Sequence, residues 1–520
     1  MIVHRKKNGA SEQLIAALNV HRVQGIAQQL VNDGIGITRT VCRTKMCCVR
    51  YFRWTLMRRG RPQNKQQTQA LAQLSGTNTP ENRTGAGVSQ IYPKQFGIFT
   101  AANYDELIDH PVEMGTFSHA SFEACGVTHH VTITGKHRAD MQRLCADLKK
   151  ICEYQIRLFE PETAAAPIQE YWFLIMAVGD GYGGLEHRSS TALICNRDDL
   201  PAAHEKNVSA GYRRFLGLAS HEYFHTWNVK RIKPAAFVPY DLSQENYTRQ
   251  LWFFEGFTSY YDDLLLRRAG LLDNAGYLKL LNKTINQVMQ TPGRQVQSVA
   301  EASFDAWVKY YRQDENTPNA TVSYYTKGAL VALCFDLTLR REGHTTLDDV
   351  MRALWLRCKA GPMLETDFAA VLQTLGKRTF DTELKNWVHG KGELPLRALL
   401  EQHGVTVHDD PAQLAQRLGL RVSETHGVVV KTVLSGGAAE KAGFAAGDEW
   451  LGVESIKQQN GWRMQRLDDL LLYANIAKKV IALVSRDKRL VRLELTLPPP
   501  ATTWRLAIKD AAKVDAWLAK

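Results

Sequence analysis

Residues 221–225 read His-Glu-Tyr-Phe-His, and thirty residues past the second histidine the chain reads Trp252-Phe253-Phe254-Glu255-Gly256. On a helix, His221 and His225 stand four residues apart and project from one face, so their imidazoles can share one metal ion. Glu222 lies one position on. It cannot easily be a ligand on that face, but it can reach a water in the metal's open position and act as its base. A catalytic zinc site needs three protein ligands and one open position, and Glu255 is the candidate for the third ligand. The competing reading of the two histidines is a solvated surface helix. Leu216, Leu218, Ala219, Tyr223 and Phe224 argue instead for a core helix, with Pro234 as its stop. The segment around Glu255 reads as a second apolar helix, carrying Leu251, Trp252, Phe254, Tyr261 and Leu265, with Gly270 as its stop. A carboxylate there is costly unless it is paired or bound to metal, so the rival reading of Glu255 is a buried ion pair.

The elements that must position these residues belong to a chain of 520 residues, long enough for about three domains. An apolar content of 44% with 23% charged residues is that of an ordinary globular protein. No apolar run approaches the roughly 18 residues of a membrane span, and Met1-Ile2-Val3-His4-Arg5-Lys6-Lys7 leads into no signal-like apolar core. The nine cysteines are an odd number without C-x-x-C spacing, and Cys195 and Cys334 sit in apolar runs. They read as reduced core thiols of a cytoplasmic protein.

The formal net charge of +12 is concentrated at one end: residues 1–90 hold 14 Lys/Arg against 3 Asp/Glu, and the rest of the chain is close to neutral. Arg43, Lys45, Arg50, Arg53, Arg58, Arg59 and Arg61 cluster around Tyr51, Phe52 and Trp54. Such a cluster could bind nucleic acid or acidic lipid, but clustered charge is more often solvated. The expectation is therefore no nucleic-acid partner and no membrane partner.

Residues 62–90, rich in Gln, Asn, Thr, Ser and Gly, read as linker. Beyond them Val127–Thr134 and Tyr171–Val178 read as strands and Arg138–Leu158 as a helix. Helices are expected at 243–269, 272–290, 323–341, 346–358 and 365–375. After about residue 400, Val428–Val433, Glu449–Val453, Val480–Ser485 and Leu490–Leu497 are short β-type runs broken by Gly436-Gly437 and Gly443.

The stretch from His221 to Pro234, His-Glu-Tyr-Phe-His-Thr-Trp-Asn-Val-Lys-Arg-Ile-Lys-Pro, closely resembles the zinc helix of the glycyl aminopeptidases, family 61 of the metallopeptidases. So does Trp252-Phe253-Phe254-Glu255-Gly256-Phe257-Thr258-Ser259-Tyr260-Tyr261, and so does the stretch Asn103–Met114. The resemblance runs from about residue 97 to 500. It implies an α+β multidomain chain of the thermolysin-like gluzincin type, with a partial N-terminal β region, a mostly helical zinc peptidase domain and a C-terminal PDZ β domain. Expected boundaries are an atypical basic, poorly ordered segment over 1–95, a remnant of the N-terminal β domain over 96–165, the catalytic domain over 166–398, the PDZ domain over 399–500 and a helical tail over 501–520. Residues 1–95 do not resemble the family's N-terminal β domain.

The resemblance also implies roles. Gly183-Gly184-Leu185-Glu186-His187 is similar to the strand by which related aminopeptidases hold the substrate backbone, and glycines there let a peptide approach closely. Glu186 would pair with a free α-amine; the alternative is a glycine turn with a solvated glutamate. Ser323-Tyr324-Tyr325-Thr326-Lys327-Gly328 resembles a Tyr-x-Lys-Gly stretch whose tyrosine donates to the tetrahedral oxyanion, and Tyr325 fits the register better than Tyr324. Asp262 is a candidate to orient a metal ligand. Val433–Glu449 is similar to bacterial PDZ modules, with Gly436 where proline is usual and Arg417-Leu418-Gly419-Leu420 as a carboxylate loop. The expectation is one Zn²⁺ per chain and release of small N-terminal residues, Gly or Ala, from peptides with a free N-terminus, with C-terminal peptide tails as PDZ ligands. The alternatives are a zinc endopeptidase and a non-catalytic PDZ adaptor.

Overall fold

Residues 70–73, 83–86, 98–205, 207–456, 460–474 and 478–519 are described by the computed structural model. The chain forms two units, Met1–Arg231 and Ile232–Lys520. The segment 1–95, expected to be poorly ordered, lies outside the described residues except for two short strands. These are β1 (Ala70–Gln73), which pairs with β3 (Ile98–Ala101), and β2 (Arg83–Ala86), which pairs with β4 (Val112–Gly115). The basic cluster from Arg43 to Arg61 is likewise outside.

The first unit is built on a sheet of β5 (Ser118–Ala124), β6 (Val127–Thr134), β7 (Glu170–Val178), β8 (Gly183–Glu186) and β9 (Ser190–Asn196), in the order β5-β6-β7-β9-β8. Cys125 and Gly126, both at positive φ, turn β5 back onto β6, as a two-residue hairpin requires. β6, β7 and β9 run parallel. Parallel neighbours need a crossover, and the helix Met141–Phe159 supplies it, with Asp140 capping its first turn. Central β7 is buried on both faces, which accounts for its unbroken run Tyr171-Trp172-Phe173-Leu174-Ile175. Because β6 pairs with β7 over 128–134 and 170–176, the boundary expected at 165/166 falls inside one sheet. Residues 118–134 are therefore part of the sheet that carries β8, and not a remnant of a separate domain.

The helix Ala210–Phe224 packs on that crossover helix, and Gln155 donates to the Ser220 carbonyl at 2.9 Å and to its hydroxyl at 3.0 Å. Ser209 caps it through the Tyr212 amide at 3.0 Å. It ends at Phe224, ten residues before the expected proline stop, where the amides of Thr226 and Trp227 turn to acceptors three residues back, the carbonyls of Tyr223 and Phe224.

The second unit is mainly helical, with Leu251–Phe254, Gly256–Arg268, Asn274–Met289, Thr326–Glu342, Leu347–Cys358 and Glu365–Gly376 as its larger or site-bearing helices. The first was expected to begin near 243. Asp241 instead accepts from the amide and hydroxyl of Ser243 and from Gln244, and holds 241–246 in a turn, a local competitor of helix. Strands β10 (Lys233–Pro234) and β11 (Pro362–Met363) pair in parallel. Within this core Asp336 accepts from Tyr260 at 2.7 Å and from Arg340, while Asp348 accepts from Tyr261 at 2.9 Å and from Arg268, so these two buried carboxylates are each paired with an arginine.

The C-terminal part of this unit is a sheet of β13 (Leu420–Ser423), β14 (Val428–Val433), β15 (Glu449–Ser455), β17 (Lys479–Arg486) and β18 (Arg489–Thr496), with β16 (Gly461–Arg463) on β15. Its apolar core includes Leu418, Val430, Trp450 and Val484. The expected helical tail differs in part. Residues 502–508 form strand β19, which pairs along its whole length with β12 (Val405–Pro411), and only Ala511–Ala519 is helical. Trp517 and Leu518 of that helix are buried.

Candidate active site

His221 and His225 occupy the last turn of the Ala210–Phe224 helix and its C-cap, with ring centroids 4.8 Å apart and ring planes at 82°. His221 is half-buried; Glu222 and His225 are 5% and 1% exposed. The abrupt end of the helix has a local consequence: it brings the Asn228 carbonyl to 2.7 Å from His225 Nδ1. A carbonyl can only accept, so Nδ1 carries the proton and Nε2 keeps a lone pair. This is the backing a metal-binding histidine needs. The Asn228 contact was not foreseen from sequence, although Asn228 lies inside the quoted motif.

Glu255 joins the helices Leu251–Phe254 and Gly256–Arg268 and is half-buried. His221 and His225 belong to the first unit and Glu255 to the second. Two imidazoles and one carboxylate suit zinc, and they fill three of its four positions. Donor atoms of Glu186, Glu222 and His225 lie within 4.8 Å of one another.

Strand β8 is the edge of its sheet, with Gly183 paired to Ile194, Gly184 to Leu193 and Glu186 to Thr191. An edge strand offers backbone donors and acceptors to an incoming extended peptide. Gly184 also lies flat against the candidate base: a Cβ there would sit 2.2 Å from Glu222 Oε1.

Two further glycines set the Glu255 side of the site. Cβ atoms at Gly256 and Gly328 would each stand 2.6 Å from backbone, that of Gly328 and of Trp252 respectively. Only glycines let the two helices approach this closely; overpacking of backbone costs about 1–3 kcal/mol. Their contact places Tyr325, at the N-cap of Thr326–Glu342, near Glu255. Burial first, and the Glu255 carboxylate second, push the Tyr325 phenol well above its usual range, so it stays protonated and able to donate. Its hydroxyl lies 3.4 Å from that of Tyr311, while Tyr324 is fully buried. Asp262 is half-buried on Gly256–Arg268 and accepts from the Asp263 amide. Lys327 is buried, with Nζ 3.4 Å from the Arg294 carbonyl, and burial lowers its pKa.

Residues 214–331, which span all of these groups except β8, match the M61 glycyl aminopeptidase family. Among solved structures, an aminopeptidase N family protein from Idiomarina loihiensis is 36% identical, with 87% of this chain and 83% of that chain covered and a TM-score of 0.79. The chain belongs to this aminopeptidase family. An M1 zinc metallopeptidase from Deinococcus radiodurans is more distant, at 16% identity over 61% of this chain and 63% of its own, with a TM-score of 0.41. No curated protein matches the sequence. Among the described residues no helix is long and apolar enough to cross a membrane.

Proposed function

We propose that this member of the aminopeptidase family is a zinc-dependent exopeptidase that removes small N-terminal residues, Gly or Ala, from peptides. The observation that carries the reading lies within the first unit: one helix end presents His221 and His225 with ring centroids 4.8 Å apart, and donor atoms of His225, the buried Glu222 and Glu186 lie within 4.8 Å of one another. His221 and His225, with Glu255 as the third ligand, would hold one Zn²⁺ per chain. When bound, the metal supplies Lewis acidity, polarising the scissile carbonyl and acidifying water. Glu222 takes the proton of the attacking water and returns it to the leaving amine. Tyr325 donates its phenolic proton in a hydrogen bond to the developing oxyanion. Gly183 and Gly184 let the substrate backbone lie along β8, and the Glu186 carboxylate pairs with the free α-ammonium, so that the first peptide bond is the one presented.

The C-terminal sheet fits the PDZ reading. Gly419, Gly436, Gly443 and Gly447 all adopt positive φ at its turns, and β13, which begins at Leu420 of Arg417-Leu418-Gly419-Leu420, is an edge strand among the described residues, the kind that a C-terminal peptide tail can extend. Cys145, Cys152, Cys195 and Cys334 are buried free thiols, which supports a reducing, cytoplasmic setting.

Exopeptidase and endopeptidase are separated by paired substrates, Gly-arylamide and its N-acetyl derivative. The free amine should be preferred at least tenfold in kcat/KM, and Glu186→Gln should erase most of that preference with zinc retained. Equal cleavage of both substrates by the unaltered enzyme would overturn the exopeptidase assignment.

A further inference from the structure

Three parts of the stretches that carry the family resemblance have no role in the proposed mechanism: Asn103–Met114, His187 and Lys230-Arg231. In the first unit they meet at one carboxylate. Asp109, at the C-cap of the short helix Tyr104–Ile108, accepts from Lys230 Nζ at 2.7 Å, from His187 Nδ1 at 3.3 Å and from the Arg188 amide at 3.2 Å. The Arg188 Nε stands 3.5 Å from its second oxygen. The neighbouring His110 Nε2 lies 3.2 Å from the Ser189 hydroxyl. A second strut runs alongside: Arg231 donates to the carbonyls of Arg188 at 3.1 Å, Thr226 at 2.8 Å and Pro167 at 2.6 Å.

We infer that Asp109 is a positioning residue that fixes the Glu186 carboxylate relative to the His221–His225 helix, and so sets where the N-terminus of a peptide stops. The inference rests on the proposed exopeptidase reading. His187 and Arg188 directly follow Glu186, so any slip of their turn carries Glu186 with it. Lys230 follows the metal helix, and its amide donates to the His225 carbonyl at 3.0 Å. One carboxylate therefore holds both ends of the span between amine partner and base. An exopeptidase needs that span fixed, because a misplacement of about 1 Å can cost roughly 10²-fold in rate. Burial alone would raise the pKa of Asp109, but the hydrogen bond from His187 and the charge of Lys230 outweigh it and keep the carboxylate ionised.

The test is Asp109→Asn with Lys230→Met, which removes the strongest of these bonds from the other side. Each is assayed for zinc content and for kcat and KM on Gly-arylamide and its N-acetyl form, alone and combined with Glu186→Gln. The expected result is full zinc, a KM for the free-amine substrate raised about tenfold, little change on the blocked substrate, and no further loss when Glu186→Gln is added. A plain stabilising role would lower both substrates alike and add to the Glu186→Gln effect, and that result would overturn the inference. If Glu186→Gln alone leaves the free-to-blocked preference intact, the exopeptidase reading itself has failed. If Glu186→Gln erases the preference while both brace variants keep it, only the brace is wrong.

Discussion

Glu222→Gln should retain one zinc per chain and lose about 10²- to 10⁴-fold in kcat on Gly-arylamide, the usual contribution of a positioned acid–base group. The substitution keeps the shape of the side chain and its ability to hydrogen-bond, and removes only the capacity to take a proton. Glu222 is 5% exposed, so bulk water cannot readily replace it. KM should change little, because the substrate would be held by β8 and Glu186. Metal analysis beside the kinetics separates this outcome from loss of the site, and a variant that turns over at the normal rate would remove Glu222 from the mechanism.

Gly184→Ala should be nearly as damaging to activity and far less so to stability. Its methyl would stand 2.2 Å from Glu222 Oε1, 2.5 Å from Cδ and 2.7 Å from Cγ, well inside the 3.5–4.0 Å of an ordinary carbon contact. The obstacle is the end of a flexible side chain and not backbone, so the clash is relieved by turning the Glu222 carboxylate away. That moves the base, and a displacement of about 1 Å corresponds to roughly a 10²-fold loss in kcat/KM. Zinc content and the thermal midpoint should stay close to those of the parent enzyme. Unaltered kcat/KM in this variant would show that Gly184 and Glu222 do not share the working site.

The histidine pair is legible because its spacing is local. His221 and His225 share a helical face by period alone, and the structure puts them in the last turn and at the C-cap of one helix. The parallel strand β7 showed itself through an unbroken apolar run, and β14 through its flanking glycines. What sequence did not show depends on distant partners. Strand β19 alternates Thr502, Trp504 and Leu506 with their neighbours, yet its mate β12 lies about a hundred residues earlier. The boundary expected at 165/166 missed because the pairing of β6 with β7 spans the crossover helix. The Asn228 carbonyl behind His225 is a backbone atom, to which no side-chain pattern points. Asp109 stood in a stretch that matched the family, but its role needs three partners drawn from separate parts of the fold.

The proposed role of His221, His225 and Glu255 is to hold the zinc on which aminopeptidase turnover depends. It is tested most directly by measuring bound zinc and hydrolysis of Gly- and Ala-arylamides together on purified protein, with and without chelator. Zinc near one per chain, with arylamine release that stops on chelation and returns with added zinc, is the predicted result. Folded protein that holds no zinc, or that releases arylamine equally well after the metal is stripped, would contradict it.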